Sequence, residues 1–401
     1  MTTAVVANIV LSFRPTIARH RRVASFFAKT SPRAFTTTGK NNLIMDRASM
    51  EKVTSAASGM ERVQTSASSN GMQRVQTSAS SGSAVLHRDF AMKASKMTPR
   101  RDDETIEIWH QLDDGEKIYT KTWTVDGPPK ARIVWVHGFS DHCNTCNPFF
   151  PLLASKGIEV FGFDQRGWGK SVKSKKQRGL SGGTKQYLDD INSVLRRFLP
   201  SFPQHSASRP DDVPLFLMGH SMGGAGVITH ASRYPSSDIR GYLSASPWIK
   251  LPPETQPGKL TVVVGQFAAK YMPHFQIKQT VNLHLLSHDP QVVAEANRDG
   301  LCHDHFTLEG ANDCLNRAAA IDAGEVIVSS QAGVKSFWLG HGTADKITAY
   351  DASKKWFENC CKVDDKVMMT YEGWYHKSKC KLEDPYTHAD VLQYTMKDHI
   401  S

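Results

Sequence analysis

The stretch FLMGHSMGGAG, Phe216–Gly226, narrows what this chain can fold into more than any other segment. A strand-like apolar run leads into Gly219-His220-Ser221-Met222-Gly223, and a small-residue run able to form a helix follows. Strand, tight turn and helix in that order hold one hydroxyl at the tip of the turn. A Cβ at either flanking glycine would meet neighbouring backbone, so both positions require glycine. Ser221 then stands at a helix N-terminus, where free amides stabilise negative charge. Gly219, His220 and Gly223 thus read as an elbow presenting a nucleophilic serine.

The flanking sequence repeats the strand signal. ARIVWVHG (131–138), GIEVFGFDQRG (157–167), PLFLMG, IRGYLSAS (239–246), KSFWLGHGTAD (335–345) and KVMMTYEGWYH (366–376) are short apolar runs. TKQYLDDINSVLRRFL (184–199), AYDASKKWFENC and the closing THADVLQYTMKDHI have helical spacing. ETIEIWHQLDDGEKIYTKTWTV alternates around a DG turn and predicts a β-hairpin. Buried strands alternating with helices predict an α/β fold, a mostly parallel central sheet with helices on both faces. In such sheets the chemistry gathers at the carboxyl ends of the strands.

A serine hydroxyl is a weak nucleophile until a base takes its proton. Asp345 falls at the end of SFWLGHGTAD and His376 at the end of MMTYEGWYH, in the order serine, acid, histidine. His376 is expected to act as base and then acid, with Asp345 holding its tautomer. Strand order selects His376 from the 17 histidines present. The oxyanion needs two backbone N–H donors. Met222 follows the nucleophile, and Phe139 lies in His137-Gly138-Phe139 after the first parallel strand.

HGFSDH, FDQRGWGKS, GHSMGG, HGTADK and YEGWYH, in this order and spacing, resemble the monoacylglycerol lipase family of the α/β-hydrolase superfamily. Its fungal members look closest, and the resemblance spans about residues 105–400. It implies an α/β-hydrolase fold with an inserted cap. It also implies hydrolysis of monoacylglycerol to fatty acid and glycerol through an acyl-serine, with no cofactor. By motif position Ser221, Asp345 and His376 match the family's triad, and Phe139 and Met222 its oxyanion positions. Two positions depart. Thr145 stands where animal members carry an arginine near the glycerol end, and Lys379 where they carry a second histidine. A lysophospholipase or broad carboxylesterase with the same triad stays open. So do an aminopeptidase-like hydrolase and a non-enzymatic binding protein on the same fold.

The segment of about 249–305 is expected to form the cap. Leu260, Val263, Val264, Phe267, Ala268 and Tyr271 recur at helical spacing there, with Val262 and Met272 widening the stripe. Such a helix either packs on the core or lies on a membrane or lipid droplet.

The net charge of +10 is uneven: residues 1–100 carry +11 and residues 101–401 carry −1. A near-neutral folded part argues against nucleic acid as a partner. Residues 1–45 hold no acid and seven arginines or lysines, the composition of a mitochondrial transit peptide. An unused leader before Met45, Met50 or Met60 is the other reading. Residues 46–103 contain the repeats MEKVTSAASG, MERVQTSASSNG and MQRVQTSASSG and read as a disordered linker, with the hydrolase domain over 104–401. Seven cysteines and no glycosylation sequon fit an intracellular, reducing compartment. No apolar run approaches the roughly 18 residues of a spanning helix.

RGWGKS lacks the first glycine of a phosphate loop, because Asp164 stands five positions before Gly169. Cys143 and Cys146 have zinc-ligand spacing without a second pair. Cys302, His303 and His305 make too short a cluster, so no metal is expected. Lys170, Lys173, Lys175, Lys176 and Arg178 read as a solvated basic loop. Oligomeric state and acyl-chain preference leave no mark in the sequence.

Overall fold

A computed structural model describes residues 72–75, 105–146, 149–200, 202, 212–377, 391, 394 and 395. The transit-peptide-like segment, most of the repeat linker and most of the closing helix lie outside them. The strands of the main sheet are β1 (Met72–Val75), β2 (Thr105–Gln111), β3 (Lys117–Trp123), β4 (Ala131–Val136), β5 (Ile158–Phe163), β6 (Leu215–His220), β7 (Ile239–Ala245), β11 (Ser336–Gly342) and β13 (Asp365–Tyr371). Short pairs form from β8 (Gln276–Lys278) with β9 (His305–Thr307), and from β10 (Val328–Ser329) with β12 (Cys361–Lys362). The helices are α1 (Phe149–Ser155), α2 (Thr184–Leu195), α3 (Met222–Arg233), α4 (Lys259–Tyr271), α5 (Pro290–Arg298), α6 (Leu308–Asp322) and α7 (Tyr350–Asn359).

The sheet order is β1-β13-β11-β7-β6-β4-β5-β3-β2. From β13 to β5 every neighbouring pair is parallel, while β5–β3, β3–β2 and β1–β13 are antiparallel. The expected hairpin is the β2–β3 pair, in register from Thr105–Trp123 to Gln111–Lys117. Parallel strands need crossover connections, and these carry helices onto both faces. Side chains alternate across the sheet accordingly. From β4, Val134 and Val136 join Phe161, Leu217 and Leu339 on one face. Ile133 and Trp135 join Phe216, Met218 and Trp338 on the other. Central strands are therefore apolar in nearly every position, as their sequences require.

The repeat linker departs from expectation at its third unit. Met72–Val75 adds an antiparallel strand to β13, pairing Met72 with Tyr371 and Val75 with Met368. An edge strand offers unpaired amides and carbonyls, and a short segment can satisfy them through its backbone alone. Compositional reasoning weighs only the apolar area a segment buries, and so it missed this pairing.

Helix α3, which follows the serine, carries a histidine on its inner side. His230 is fully buried, its Nε2 lies 2.9 Å from Asn192 Oδ1, and its ring stacks on Phe202. Burial pushes its pKa down to about 3. The folded ring stays neutral where the unfolded chain takes up a proton, so stability is lost as pH falls from about 6.5 toward that lower value. Between pH 7 and pH 5 the wild type should lose about 2 kcal/mol more stability than His230→Gln. Urea denaturation at the two pH values measures the difference, and equal losses would exclude this linkage.

Candidate active site

The site is built at the carboxyl ends of β4, β6, β11 and β13. Ser221 is the residue between β6 and α3, with φ 56° and ψ −116°. That conformation is strained for a side chain other than glycine, and neighbouring backbone holds it there. The Ser221 amide donates to the Ala245 carbonyl (2.9 Å), and its own carbonyl accepts from the Trp248 and Ala225 amides (2.9 and 3.0 Å). A Cβ on Gly219 would lie 2.4 Å from the Gly223 carbonyl oxygen. A Cβ on Gly223 would lie 2.2 Å from the carbonyl oxygen of Val136. Glycine at these two positions lets the turn close against β4.

His376 follows β13 and lies against the elbow. Its ring centroid is 4.7 Å from that of His220, and its carbonyl oxygen is 3.1 Å from His220 Nε2. Its Nδ1 is 2.7 Å from Asp345 Oδ2. Asp345 lies just after β11, and its carboxylate is wholly buried. The amides of Ile347 and Thr348 donate to Oδ1 at 2.8 and 2.9 Å. At Oδ2 the carboxylate also meets His341 Nε2 (3.1 Å) and the Thr348 hydroxyl (2.9 Å). Burial alone would raise the carboxyl's pKa. Electrostatic attraction to His376 and the hydrogen bonds from His341 and His376 outweigh it and hold Asp345 well below the carboxylate range. An ionised Asp345 fixes the proton on His376 Nδ1, which leaves Nε2 as the basic atom.

His341 and Thr348 escaped the sequence reading. His341 sits in the same HGTAD segment, buried at the end of β11, with Nδ1 2.9 Å from Ser353 Oγ. Its spacing of four from Asp345 was the available signal. Gln165 was missed as well. Its amide donates to His137 Nε2 (3.0 Å), and its side chain donates to the His137 carbonyl (2.6 Å). The tautomer follows: Nε2 accepts, so Nδ1 carries the proton and donates to the Gly138 carbonyl (2.8 Å). Burial lowers the pKa of His137 and keeps the ring neutral. Gln165 and His137 together brace the loop that bears Phe139. That loop runs beside the serine, since a Cβ on Gly138 would lie 3.2 Å from Ser221 Cβ.

Neither the Phe139 amide nor the Met222 amide has a hydrogen-bond acceptor among the described residues. Both residues also belong to an apolar cluster. Trp168, Met222 and Phe306 are buried together, with Phe139, Trp248 and Ile277 against them. The Phe139 ring stacks on Phe306 at 4.3 Å. Asp141 and Lys377 form an ion pair (3.5 Å) between the Phe139 loop and the residue after His376, with both side chains largely buried. Thr145 caps a turn by donating to the His142 carbonyl (3.1 Å), and Lys379 lies outside the described residues.

A parallel sheet with a strained serine elbow and a buried acid–histidine pair at its carboxyl edge defines an α/β-hydrolase. Comparison with known proteins narrows the class. The family described as "Serine aminopeptidase, S33" matches residues 127–379. A putative monoglyceride lipase of Schizosaccharomyces pombe is 30% identical over 70% of this chain and 71% of its own length. The monoglyceride lipase of Saccharomyces cerevisiae is 26% identical over 67% of this chain and 86% of its own length. In fold, a soluble variant of that enzyme, solved with a substrate analog, matches 76% of this chain and 97% of its own with a TM-score of 0.63 at 22% identity. The chain belongs to this serine hydrolase family and, within it, to the monoacylglycerol lipases.

Proposed function

We propose that the chain hydrolyses monoacylglycerols to fatty acid and glycerol, with Ser221 as nucleophile, His376 as general base and acid, and Asp345 as its partner. The observation that carries this reading is the 2.7 Å Asp345–His376 contact set against the elbow that bears Ser221. His376 takes the serine proton as Ser221 attacks the ester carbonyl. The carbonyl oxygen becomes negative and turns toward the Phe139 and Met222 amides. Protonation of the leaving glycerol oxygen by His376 leaves an acyl-serine, which water cleaves by the same route. The cluster of Phe139, Trp168 and Phe306 supports a lipid acyl group, because it places apolar surface next to the two donors. Fluorophosphonate labelling with mapping of the modified residue tests the nucleophile. A panel of monoacylglycerols, lysophospholipids and aminoacyl amides tests the substrate class. Preference for either of the last two would replace this reading.

Helix α4 supports work at a lipid surface. The sequence left open whether its stripe packs inward, and the stripe faces out. Leu260, Val263, Phe267 and Tyr271 are 60–77% exposed, while the helix packs on α6 with Ala269 buried. A helix with this much exposed apolar surface is favoured at a lipid boundary. Phe267→Asp should reduce sedimentation with phospholipid vesicles about tenfold or more. Hydrolysis of a soluble short-chain ester should stay unchanged. Undiminished vesicle binding would remove α4 from the docking surface.

A further inference from the structure

At the seam between cap and core, three good metal donors converge. His142 comes from the loop that carries Phe139, whereas Asp299 and Cys302 come from the cap segment after α5. The imidazole nitrogen, a carboxylate oxygen and the thiol sulfur all lie within 4.8 Å of one another. His142 is buried, and the other two are half-buried. The imidazole Nε2 and Asp299 Oδ2 are 2.7 Å apart. Two ligands on one tetrahedral ion stand somewhat further apart, so an ion would part this pair by roughly half an ångström.

We propose that His142, Asp299 and Cys302 bind one divalent transition-metal ion, zinc by preference, with water in the fourth position. A set of imidazole, carboxylate and thiolate suits zinc, whereas magnesium and calcium favour oxygen ligands alone. Loading releases the thiol proton to solvent and moves the ring proton of His142 to Nδ1. The Asn144 amide, 3.2 Å from Nδ1, then gives up that contact. The sequence grouped Cys302 with His303 and His305. The fold turns His303 elsewhere: its Nε2 meets the Gly167 carbonyl (2.9 Å) and its ring stacks on Trp168 (4.6 Å). An ion held here ties the cap to the loop bearing Phe139, so it resists any parting of cap from core.

The test uses the untagged full chain freed of metal by a chelator. Cobalt(II) should produce an intense thiolate-to-cobalt band at one equivalent, and zinc should displace it. Cys302→Ser should abolish the band and weaken zinc binding, measured against a chromophoric chelator, at least about tenfold. Asp299→Asn should weaken binding similarly. Cys314→Ser, at a buried thiol in the apolar cluster, should leave both signals intact. Thermal unfolding of the metal-free variants reports whether they fold. If Cys302→Ser does not fold, alkylation of Cys302 in the wild type decides instead: zinc protection supports the site, and equal labelling overturns it. Absence of a thiolate–cobalt band, or unchanged zinc affinity in folded Cys302→Ser, also overturns the proposal.

Discussion

Ser221→Ala should lower ester turnover by about four to six orders of magnitude, to the level that bound amides and positioning alone sustain. The fold should survive. Alanine at φ 56° is no more strained than serine, and the hydrogen bonds of Ser221 to Ala245, Trp248 and Ala225 are made by its backbone. Stability should therefore change by less than about 0.5 kcal/mol. Fluorophosphonate labelling should vanish in the same variant. Near-normal turnover by folded Ser221→Ala would mean that another residue attacks the ester.

Asp345→Asn should cost about four orders of magnitude in turnover. Asparagine keeps the shape, and its oxygen can still accept from the Ile347 and Thr348 amides. Its NH2 group then faces His376, His341 and the Thr348 hydroxyl, where the carboxylate had accepted. To pair with that NH2, His376 must present a lone pair at Nδ1 and carry its proton on Nε2. In that tautomer it cannot take a proton from Ser221. Crowding donors together should also cost about 1–3 kcal/mol of stability. The wild-type carboxyl ionises well below the ordinary range, so its stabilisation is present above about pH 4 and fades as the solution grows more acid. The stability gap between wild type and variant should narrow below that pH. A variant that keeps turnover within tenfold of wild type would exclude Asp345 as the partner of His376.

The elbow was legible because its constraint is local. Gly219 and Gly223 must be small for reasons contained within nine residues of chain and one neighbouring strand. Asp345 and His376 were legible because a parallel sheet aligns the ends of its strands, so order along the chain predicts convergence in space. His341, Thr348 and Gln165 were not. Each is an ordinary polar residue whose importance lies in what it touches, and touching depends on loop paths between distant strands. The direction faced by α4 was hidden for a related reason. Periodicity states which residues share a side of a helix and is silent about what stands opposite.

The sequence by itself determined the strand–helix alternation, the place of Ser221 in its tight turn, and the order along the chain of Ser221, Asp345 and His376. These follow from backbone sterics and from the period of apolar residues, which act over short stretches of chain. The tertiary structure alone decided that five donors gather around the Asp345 carboxylate, that Gln165 braces the Phe139 loop through His137, and that Cys302 faces His142 and Asp299. Those meetings join residues far apart in the chain. Their geometry comes from packing two faces of one sheet and a cap, which no local pattern encodes.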